Sequence, residues 1–208
     1  MSVRVMTVVE MGLPSWMTSY AQHIFGIPTH MPLRQRLVLT QTALELPEGF
    51  VVLEIGSYLG ASTAFLAAAA LQKAGTVHAV DTWMNNAMGA EGEWDTWIQF
   101  QANVAPFKDV IVTHRGRSAD VHAREGDIPC DMLFIDGDHS YEGVLTDLRT
   151  WLPSLRPGGV LAMDDFNQTT VQQAFNEIVG TQYVEAPKML DLLMVCRPQL
   201  ASATAKNA

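Results

Sequence analysis

Two groups of carboxylates follow apolar runs in this sequence. Asp136 comes directly after the run at 132–135, and Asp164 and Asp165 come directly after the run at 160–163. Short apolar runs are typical of buried parallel strands, and open α/β sheets bind ligands where such strands end. Converging carboxylates repel one another, and a hard divalent cation such as Mg²⁺ relieves that repulsion. The sequence therefore predicts one metal site formed by Asp136, Asp164 and Asp165.

A histidine lies three residues after the first of these acids. A neutral imidazole at His139 can take the proton of a hydroxyl group whose pKa a bound metal has lowered. We therefore predict His139 and Asp136 as the catalytic residues of a transfer to oxygen. The competing interpretations give His139 no role beyond starting a helix, make Asp138 the cap of that helix, and let Asp165 cap the loop that follows it.

A glycine turn follows the first predicted strand, residues 50–55. Gly56 and Gly60 permit a tight turn and a close approach of a ligand to the backbone. Their spacing is neither the dinucleotide fingerprint nor a phosphate loop, which disfavours an NAD-dependent oxidoreductase. Glu54, two residues before the turn, suits a ligand that carries an amine.

The second predicted strand, residues 76–80, ends at Asp81. In doubly wound folds an acid at this position accepts hydrogen bonds from ribose hydroxyls. Trp83, two residues later, offers an aromatic face for stacking on an adenine. A generic α/β turn, with no ligand, is the competing interpretation of these features.

The segment 52–63, VLEIGSYLGAST, resembles the first motif of class I S-adenosylmethionine-dependent methyltransferases, and most closely that of the small catechol-type O-methyltransferases. The resemblance implies S-adenosylmethionine as cofactor, with its methionine part at the glycine turn and its ribose at the acid after strand two. The residues implied to bind the cofactor are Glu54, Gly56, Ser57, Tyr58, Gly60, Ser62, Asp81, Thr82, Trp83, Arg117, Ser118 and Asp136.

A second segment, IDGDHSYEGV at 135–144, followed by LRPGG at 155–159, resembles the metal-dependent sugar O-methyltransferases of macrolide biosynthesis and their cephalosporin-hydroxylase-type relatives. In the macrolide group a histidine at the position of His139 is the proposed base, where catechol-type enzymes carry lysine. The macrolide enzymes have an additional N-terminal domain and a Glu-Asp pair in place of Asp164 and Asp165. The identity of the acceptor therefore does not follow from the resemblance.

Alternating strands and helices predict an α/β, doubly wound, Rossmann-like fold. The resemblance implies a seven-stranded, mostly parallel sheet with helices on both faces and the strand order 3-2-1-4-5-7-6. We expect an N-terminal extension at 1–32, a methyltransferase domain at 33–197 and a flexible tail at 198–208. The predicted activity is Mg²⁺-dependent methyl transfer to a hydroxyl of a small molecule or sugar. The alternatives are a metal-independent methyltransferase and a non-catalytic binding module of the same fold.

Composition narrows the class of protein. The 208 residues carry a net charge of −9 without a basic cluster, which argues against nucleic acid as a partner. No apolar segment is long enough to span a membrane, no signal peptide is evident, and the two cysteines lie far apart, so we expect a cytoplasmic protein with reduced thiols. We also expect a homo-oligomer. Either the N-terminal extension or residues 84–106 are expected to cover the site, and the aromatic residues Trp94, Trp97 and Phe100 form part of this cover or of the core.

Overall fold

The computed structural model alternates strands with helices over the residues that it describes, 17–85 and 92–200. Its strands are β1 (Val51–Ile55), β2 (Thr76–Asp81), β3 (Ile111–Arg115), β4 (Cys130–Ile135), β5 (Leu155–Met163), β6 (Tyr183–Leu190) and β7 (Leu193–Pro198). Its α-helices are α1 (Thr18–Ile24), α2 (Leu33–Leu44), α3 (Ala61–Gln72), α4 (Trp97–Val104), α5 (Ser118–Glu125), α6 (Tyr141–Trp151) and α7 (Thr169–Ile178).

The strands form one sheet in the order β3-β2-β1-β4-β5-β7-β6, which confirms the predicted order. Strands β1 to β5 pair in parallel, and β7 pairs antiparallel with both β5 and β6. The chain order reverses between β1 and β4, so their carboxyl ends border the crevice in which open α/β sheets bind ligands.

Alternate residues of each central strand face opposite sides of the sheet. In β1, Val52 packs into a core with α2 and α3, whereas Leu53 packs into a second core with α6 and α7. Helix α3 is buried from Ala61 to Ala70, which accounts for its almost continuous apolar sequence. The described part of the expected N-terminal extension joins the first core through Met17, Ile24, Ile27 and Met31.

Three local features differ from the sequence-based expectations. Helix α5 was not predicted, because it is short and Val121 is its one buried residue. The spacing of Trp94, Trp97 and Gln101 predicts a helix over 94–104, but helix α4 begins at Trp97. Pro157, Gly158 and Gly159 predict that the preceding helix stops at 156–159 and that a strand follows. This segment instead lies within β5, whose pairing with β4 shifts register between Cys130 and Met132.

Several expectations fall partly or wholly outside the described residues. They concern the first sixteen residues of the extension and the tail beyond residue 200. They also concern residues 86–91 of the segment 84–94, whose polar residues and two glycines predict a loop. Within the described ranges, none of the helices has the length and apolar character that a bilayer crossing requires.

Candidate active site

A cavity of about 920 Å³ lies at the carboxyl ends of the central strands. Residues from the glycine turn, from the ends of β2 and β4, and from the start of α5 form its wall, together with the acids after β5. The predicted site residues that line it are Gly56, Ser57, Tyr58, Ser62, Asp81, Thr82, Arg117, Ser118, Asp136, His139, Asp164 and Asp165. The structure thus brings together residues that lie more than a hundred positions apart.

Glu54 lies next to this wall without lining it, and its side chain is fully buried. Its Oε2 atom accepts hydrogen bonds from Ser57 Oγ at 2.9 Å and from Thr63 Oγ1 at 2.5 Å. Its Oε1 atom is buried and has no hydrogen-bond partner among the described residues. Burial raises the pKa of Glu54 to about 7. A buried carboxylate oxygen in this state suits a hydrogen-bond donor, such as the ammonium group of a bound amino acid.

The glycine turn is held against β4 by a very close backbone contact. Gly56 has φ 87°, and a Cβ atom at this position would lie 2.1 Å from the carbonyl oxygen of Asp136. Gly60 has φ 86°, and a Cβ there would lie 2.7 Å from Val104 Cγ1. Gly56 therefore joins the two halves of the cavity, whereas Gly60 packs against α4 and does not line the cavity, contrary to its predicted contact with the cofactor.

Asp81 lines the cavity, but its carboxylate also holds the turn. Asp81 Oδ2 accepts from the backbone N–H groups of Ser57 and Tyr58 at 2.7 and 2.8 Å. Asp81 Oδ1 accepts from Trp83 N at 2.6 Å. The acid predicted to bind ribose thus also fixes the conformation of the glycine turn.

Trp83 requires a correction. From the sequence its ring was a candidate for stacking on an adenine, but the side chain is completely buried and is not part of the cavity wall. Its ring centroid lies 4.6 Å from those of both Trp97 and Phe100. These aromatic side chains form a small core over β2 with Val104, so the packing interpretation holds for Phe100 and Trp97. Packing the large Trp83 ring in an apolar core is more favourable here than leaving it at the cavity wall for a ligand.

The acids after β4 and β5 meet His139 at the opposite wall of the cavity. Backbone bonds from Asp136 N to Ile55 O and from Asp164 N to Ile135 O continue the sheet beyond its strands. His139 Nδ1 lies 2.9 Å from Asp165 Oδ2, and His139 Nε2 lies 3.5 Å from Asp136 Oδ1. Nε2 is buried and makes no hydrogen bond within the described part of the chain.

Burial and mutual repulsion perturb this acidic cluster. Burial raises the pKa of Asp136 to about 6, against the opposing effect of His139. Burial and the charge of Asp136 raise the pKa of Asp164 to about 7. Burial alone would lower the pKa of His139, but the neighbouring Asp136 and Asp165 carboxylates outweigh it and raise that pKa. Asp165 also has a left-handed backbone, φ 49°, a strained conformation that tends to mark functional sites.

The cluster fits a hard cation by the chemistry of its donors, because it contains three carboxylates and a buried Asp164 Oδ1 atom without a hydrogen-bond partner among the described residues. In residues 17–85 and 92–200, however, no three His, Cys, Asp or Glu side chains are arranged as the ligands of one metal ion. Side chains would have to reorient before they could hold Mg²⁺.

Asp138 does not have its expected capping role. Ser140 caps α6, because its Oγ atom accepts a hydrogen bond from Gly143 N at 3.1 Å. Asp138 Oδ1 instead accepts from Ser140 N at 2.9 Å and so fixes the turn that carries His139.

The cavity wall also contains residues that the sequence analysis did not single out. Asp147 is buried on α6, and its spacing from Val144, Leu148 and Trp151 is the signal that could have found it, since an acid on an apolar helix face needs a reason. Other such residues of this wall include Thr29, Met31, Asn85, Thr96, Asp120, Ser140, Glu142, Thr146, Gln168 and Leu192. Met31 and Leu192 lie far apart in the sequence, and no short motif links them. His30, which the sequence indicated as able to reach the site from the N-terminal part, also lines the cavity.

Comparisons with known proteins agree with this geometry. A family model described as a methyltransferase domain matches residues 53–166. An uncharacterized protein, R132, of Acanthamoeba polyphaga mimivirus is 37% identical over 54 residues, a match that covers 24% of this chain and 24% of that protein. The matched part therefore spans about a quarter of the length of this relative.

Two solved structures show the same fold. An O-methyltransferase from Bacillus cereus in complex with SAH has a TM-score of 0.64 and 21% identity, and the match covers 91% of this chain and 94% of that one. CalS11, a TDP-rhamnose 3'-O-methyltransferase of calicheamicin biosynthesis, has a TM-score of 0.61 and 16% identity, with 88% and 86% covered. Because the family model covers more than half of the sequence, the chain belongs to the methyltransferase-domain family.

Proposed function

We propose that the protein is an S-adenosylmethionine-dependent O-methyltransferase that acts on a hydroxyl group of a small molecule or sugar. The observation that carries this proposal is His139, whose Nδ1 is held by Asp165 and whose buried Nε2 makes no hydrogen bond within the described part of the chain. The same cavity contains the glycine turn of the methyltransferase family. Structural neighbours that are O-methyltransferases, one of them in complex with SAH, support both the cofactor and the acceptor atom.

The cofactor, when bound, supplies the methyl group as an activated sulfonium. Glu54 Oε1 is available to accept from its ammonium group, while Ser57, Tyr58 and Ser62 lie along the glycine turn. The turn is rigid, because Asp81 binds two of its N–H groups and Gly56 is in contact with Asp136. A rigid turn positions the reactant at low entropic cost, and methyl transfer depends mainly on such positioning.

His139 is the proposed general base. His139 Nδ1 lies 2.9 Å from Asp165 Oδ2 and 3.5 Å from Gln168 Nε2. In the tautomer that carries its proton on Nδ1, facing Asp165, the lone pair on Nε2 can accept the proton of the acceptor hydroxyl. Asp136, 3.5 Å from Nε2, stabilises the imidazolium that forms. Tyr58 and His30, whose ring centroids are 5.8 Å apart, line the same cavity and offer aromatic faces to an acceptor.

The proposal also includes a divalent cation, which has less support in the geometry than the role of His139. Asp136, Asp164 and Asp165 would hold Mg²⁺, which when bound lowers the pKa of a coordinated hydroxyl. The buried, mutually repelling carboxylates support this assignment. The 2.9 Å contact between His139 and Asp165 favours the second candidate, a metal-independent methyltransferase in which Asp165 orients the base.

Turnover measurements with and without metal separate these candidates. Formation of S-adenosylhomocysteine is followed with a panel of neutral polyphenols and sugars, first after EDTA treatment and then with Mg²⁺ restored. Loss and recovery of turnover support the metal-dependent enzyme, whereas unchanged turnover supports the His139–Asp165 pair alone. Tight S-adenosylmethionine binding without transfer to any acceptor would instead support a non-catalytic binding module. Homo-oligomer formation and a cytoplasmic location stay predictions from the sequence.

A further inference from the structure

Asp147 is a buried carboxylate that the proposed reaction does not use. It lies on α6 among Val144, Leu148 and Trp151, and it is only 5% exposed, yet it forms part of the cavity wall. An acid on the apolar face of a helix costs stability unless a bound group or a buried partner compensates for it. Burial raises the pKa of Asp147 to about 6, so its described surroundings compensate for the charge only in part.

Ser118 and Gly137 lie on either side of this carboxylate. Trp151 Nε1 donates to Ser118 Oγ at 2.8 Å, and Ser118, beside the carboxyl of Asp147, lowers the pKa of that carboxyl against the larger effect of burial. On its other side, Asp147 Oδ2 lies 3.4 Å from the position that a Cβ atom would take on Gly137. The carboxylate is therefore held between the first turn of α5 and the backbone after β4.

This position adjoins the end of the cavity next to Asp81. Gly116 N donates to Asp81 O at 2.9 Å. The segment that carries Ser118 therefore begins beside the end of β2, next to the predicted ribose site. Gly116, Arg117, Ser118 and Asp147 line the same cavity. A purine attached to a ribose near Asp81 would extend toward these residues.

We propose that Asp147 accepts a hydrogen bond from the exocyclic amine of the cofactor's adenine and so makes the cavity selective for adenine over 6-oxopurines. The proposal rests on the proposed function, because it presupposes an adenosyl cofactor. An adenine amine donates to a carboxylate, whereas the carbonyl oxygen of hypoxanthine at the same place repels it. A side chain at position 147 that both donates and accepts would not distinguish between the two bases.

The test is calorimetric binding of S-adenosylhomocysteine and of S-inosylhomocysteine, which differ in the exocyclic group at C6 and in the proton that hypoxanthine carries on N1. The wild-type protein is expected to bind the adenosyl compound about 10- to 100-fold more tightly, the range of a hydrogen bond to a charged group. In Asp147→Asn the ratio is expected to fall to a few-fold, because the amide can present either its oxygen or its NH₂ group. The matched control is Asp120→Asn, which removes an exposed acid from the same wall and is expected to keep the wild-type ratio.

Each outcome decides the proposal. Equal binding of both compounds by the wild type, or an unchanged ratio in Asp147→Asn, overturns it while tight S-adenosylhomocysteine binding leaves the proposed function intact. If the ratio falls in Asp120→Asn and not in Asp147→Asn, the selectivity comes from Asp120, and the proposal for Asp147 is also overturned. Absence of any S-adenosylhomocysteine binding overturns the proposed function itself. If Asp147→Asn does not fold, Asp147→Ser, whose hydroxyl also both donates and accepts, is expected to lower the ratio instead.

Discussion

Two side chains, His139 and Asp165, carry out the proposed removal of the proton from the acceptor hydroxyl. Asp165 adopts a left-handed backbone conformation to reach Nδ1, and the other imidazole nitrogen stays buried without a hydrogen bond within the described part of the chain. An orienting carboxylate on one nitrogen fixes the tautomer and makes the second nitrogen the proton acceptor. The metal-dependent alternative uses the same Asp165 as a ligand, so the two mechanisms predict different effects of its replacement.

His139→Ala is expected to lower kcat by roughly 10²- to 10⁴-fold, the usual range for loss of a general base. Affinity for S-adenosylhomocysteine should stay within a few-fold of the wild type, because His139 does not contact the glycine turn in the structure. Steady-state kinetics and calorimetry measure the two quantities. A decrease in kcat of only a few-fold would remove His139 from the catalytic residues.

Asp165→Asn separates the roles of Asp165. If it only orients His139, kcat is expected to fall while the Mg²⁺ concentration needed for half-maximal rate stays unchanged. If it is a metal ligand, that concentration rises as well, since a carboxylate oxygen is lost. A titration of turnover against Mg²⁺ at saturating acceptor distinguishes the two results.

Asp147 gives a pH-dependent contribution to stability. Burial raises its pKa to about 6, so the folded state favours the protonated acid. As pH rises from about 4 through 6, the unfolded chain ionises first, and folded stability decreases by up to roughly 2–3 kcal/mol. Asp147→Asn should therefore be more stable than the wild type at pH 8 and similar to it at pH 4.5, as measured by urea unfolding at both pH values. Equal stabilities at pH 8 would contradict the raised pKa.

At the scale of elements, the glycine turn between β1 and α3 does more than approach a ligand. Its Gly56 is in contact with the backbone after β4, and the Asp81 carboxylate binds its N–H groups. Three strands are thereby fixed relative to one another at the switch point of the sheet. Substitution in this turn is expected to affect folding as well as cofactor binding.

Gly56→Ala compared with Gly49→Ala isolates the close contact. Both glycines have positive φ, 87° and 74°, but nothing lies within 4 Å of a Cβ at Gly49. Gly49→Ala is expected to lower the free energy of unfolding by about 1 kcal/mol, the cost of the left-handed conformation. Gly56→Ala adds a backbone clash and should lower it by about 3 kcal/mol or more. Denaturant unfolding measures both values, and equal losses would show that the contact carries no strain.

The elements that could be predicted are those whose signal is local. β1 and β4 are short apolar runs that end in chemistry-bearing residues, and they lie where the pattern indicated. Helix α5 was missed, because a short helix with one buried side chain has no periodic signal. Trp83 was misplaced, because a sequence does not show whether an aromatic ring turns toward a ligand or toward Phe100. Asp147 has a role only through Ser118 and Gly137, neighbours that the fold brings to it.

At the scale of the whole molecule, acidic residues outnumber basic residues both in the cavity wall and in the chain as a whole. Among the described residues that line it, the acids are Asp81, Asp120, Asp136, Asp138, Glu142, Asp147, Asp164 and Asp165. Histidines aside, Arg117 is the basic residue of the described wall. With a net charge of −9, the molecule therefore presents a negative potential to reactants. This favours the cationic sulfonium of S-adenosylmethionine and disfavours anionic acceptors such as nucleotide-linked sugars.

The salt dependence of cofactor binding tests this electrostatic preference. The ratio of the affinity for S-adenosylmethionine to that for the sulfonium-free S-adenosylhomocysteine is expected to fall several-fold between low salt and about 0.5 M, where charges are screened within a few ångströms. The comparison uses calorimetry at pH 8 with the same protein. A ratio of affinities independent of salt would show that the acidic wall does not act on the sulfonium.

The contact between Gly56 and the Asp136 carbonyl has a consequence for how acceptor specificity diversifies in evolution. Because these backbone atoms already touch, the cofactor half and the acid half of the cavity cannot close further on each other. The reaction centre therefore keeps fixed dimensions, and new acceptors are accommodated by replacing side chains at its rim. Met31 and Leu192 line the cavity from segments outside strands β1 and β4. Lineages that share this centre are expected to differ most at such positions.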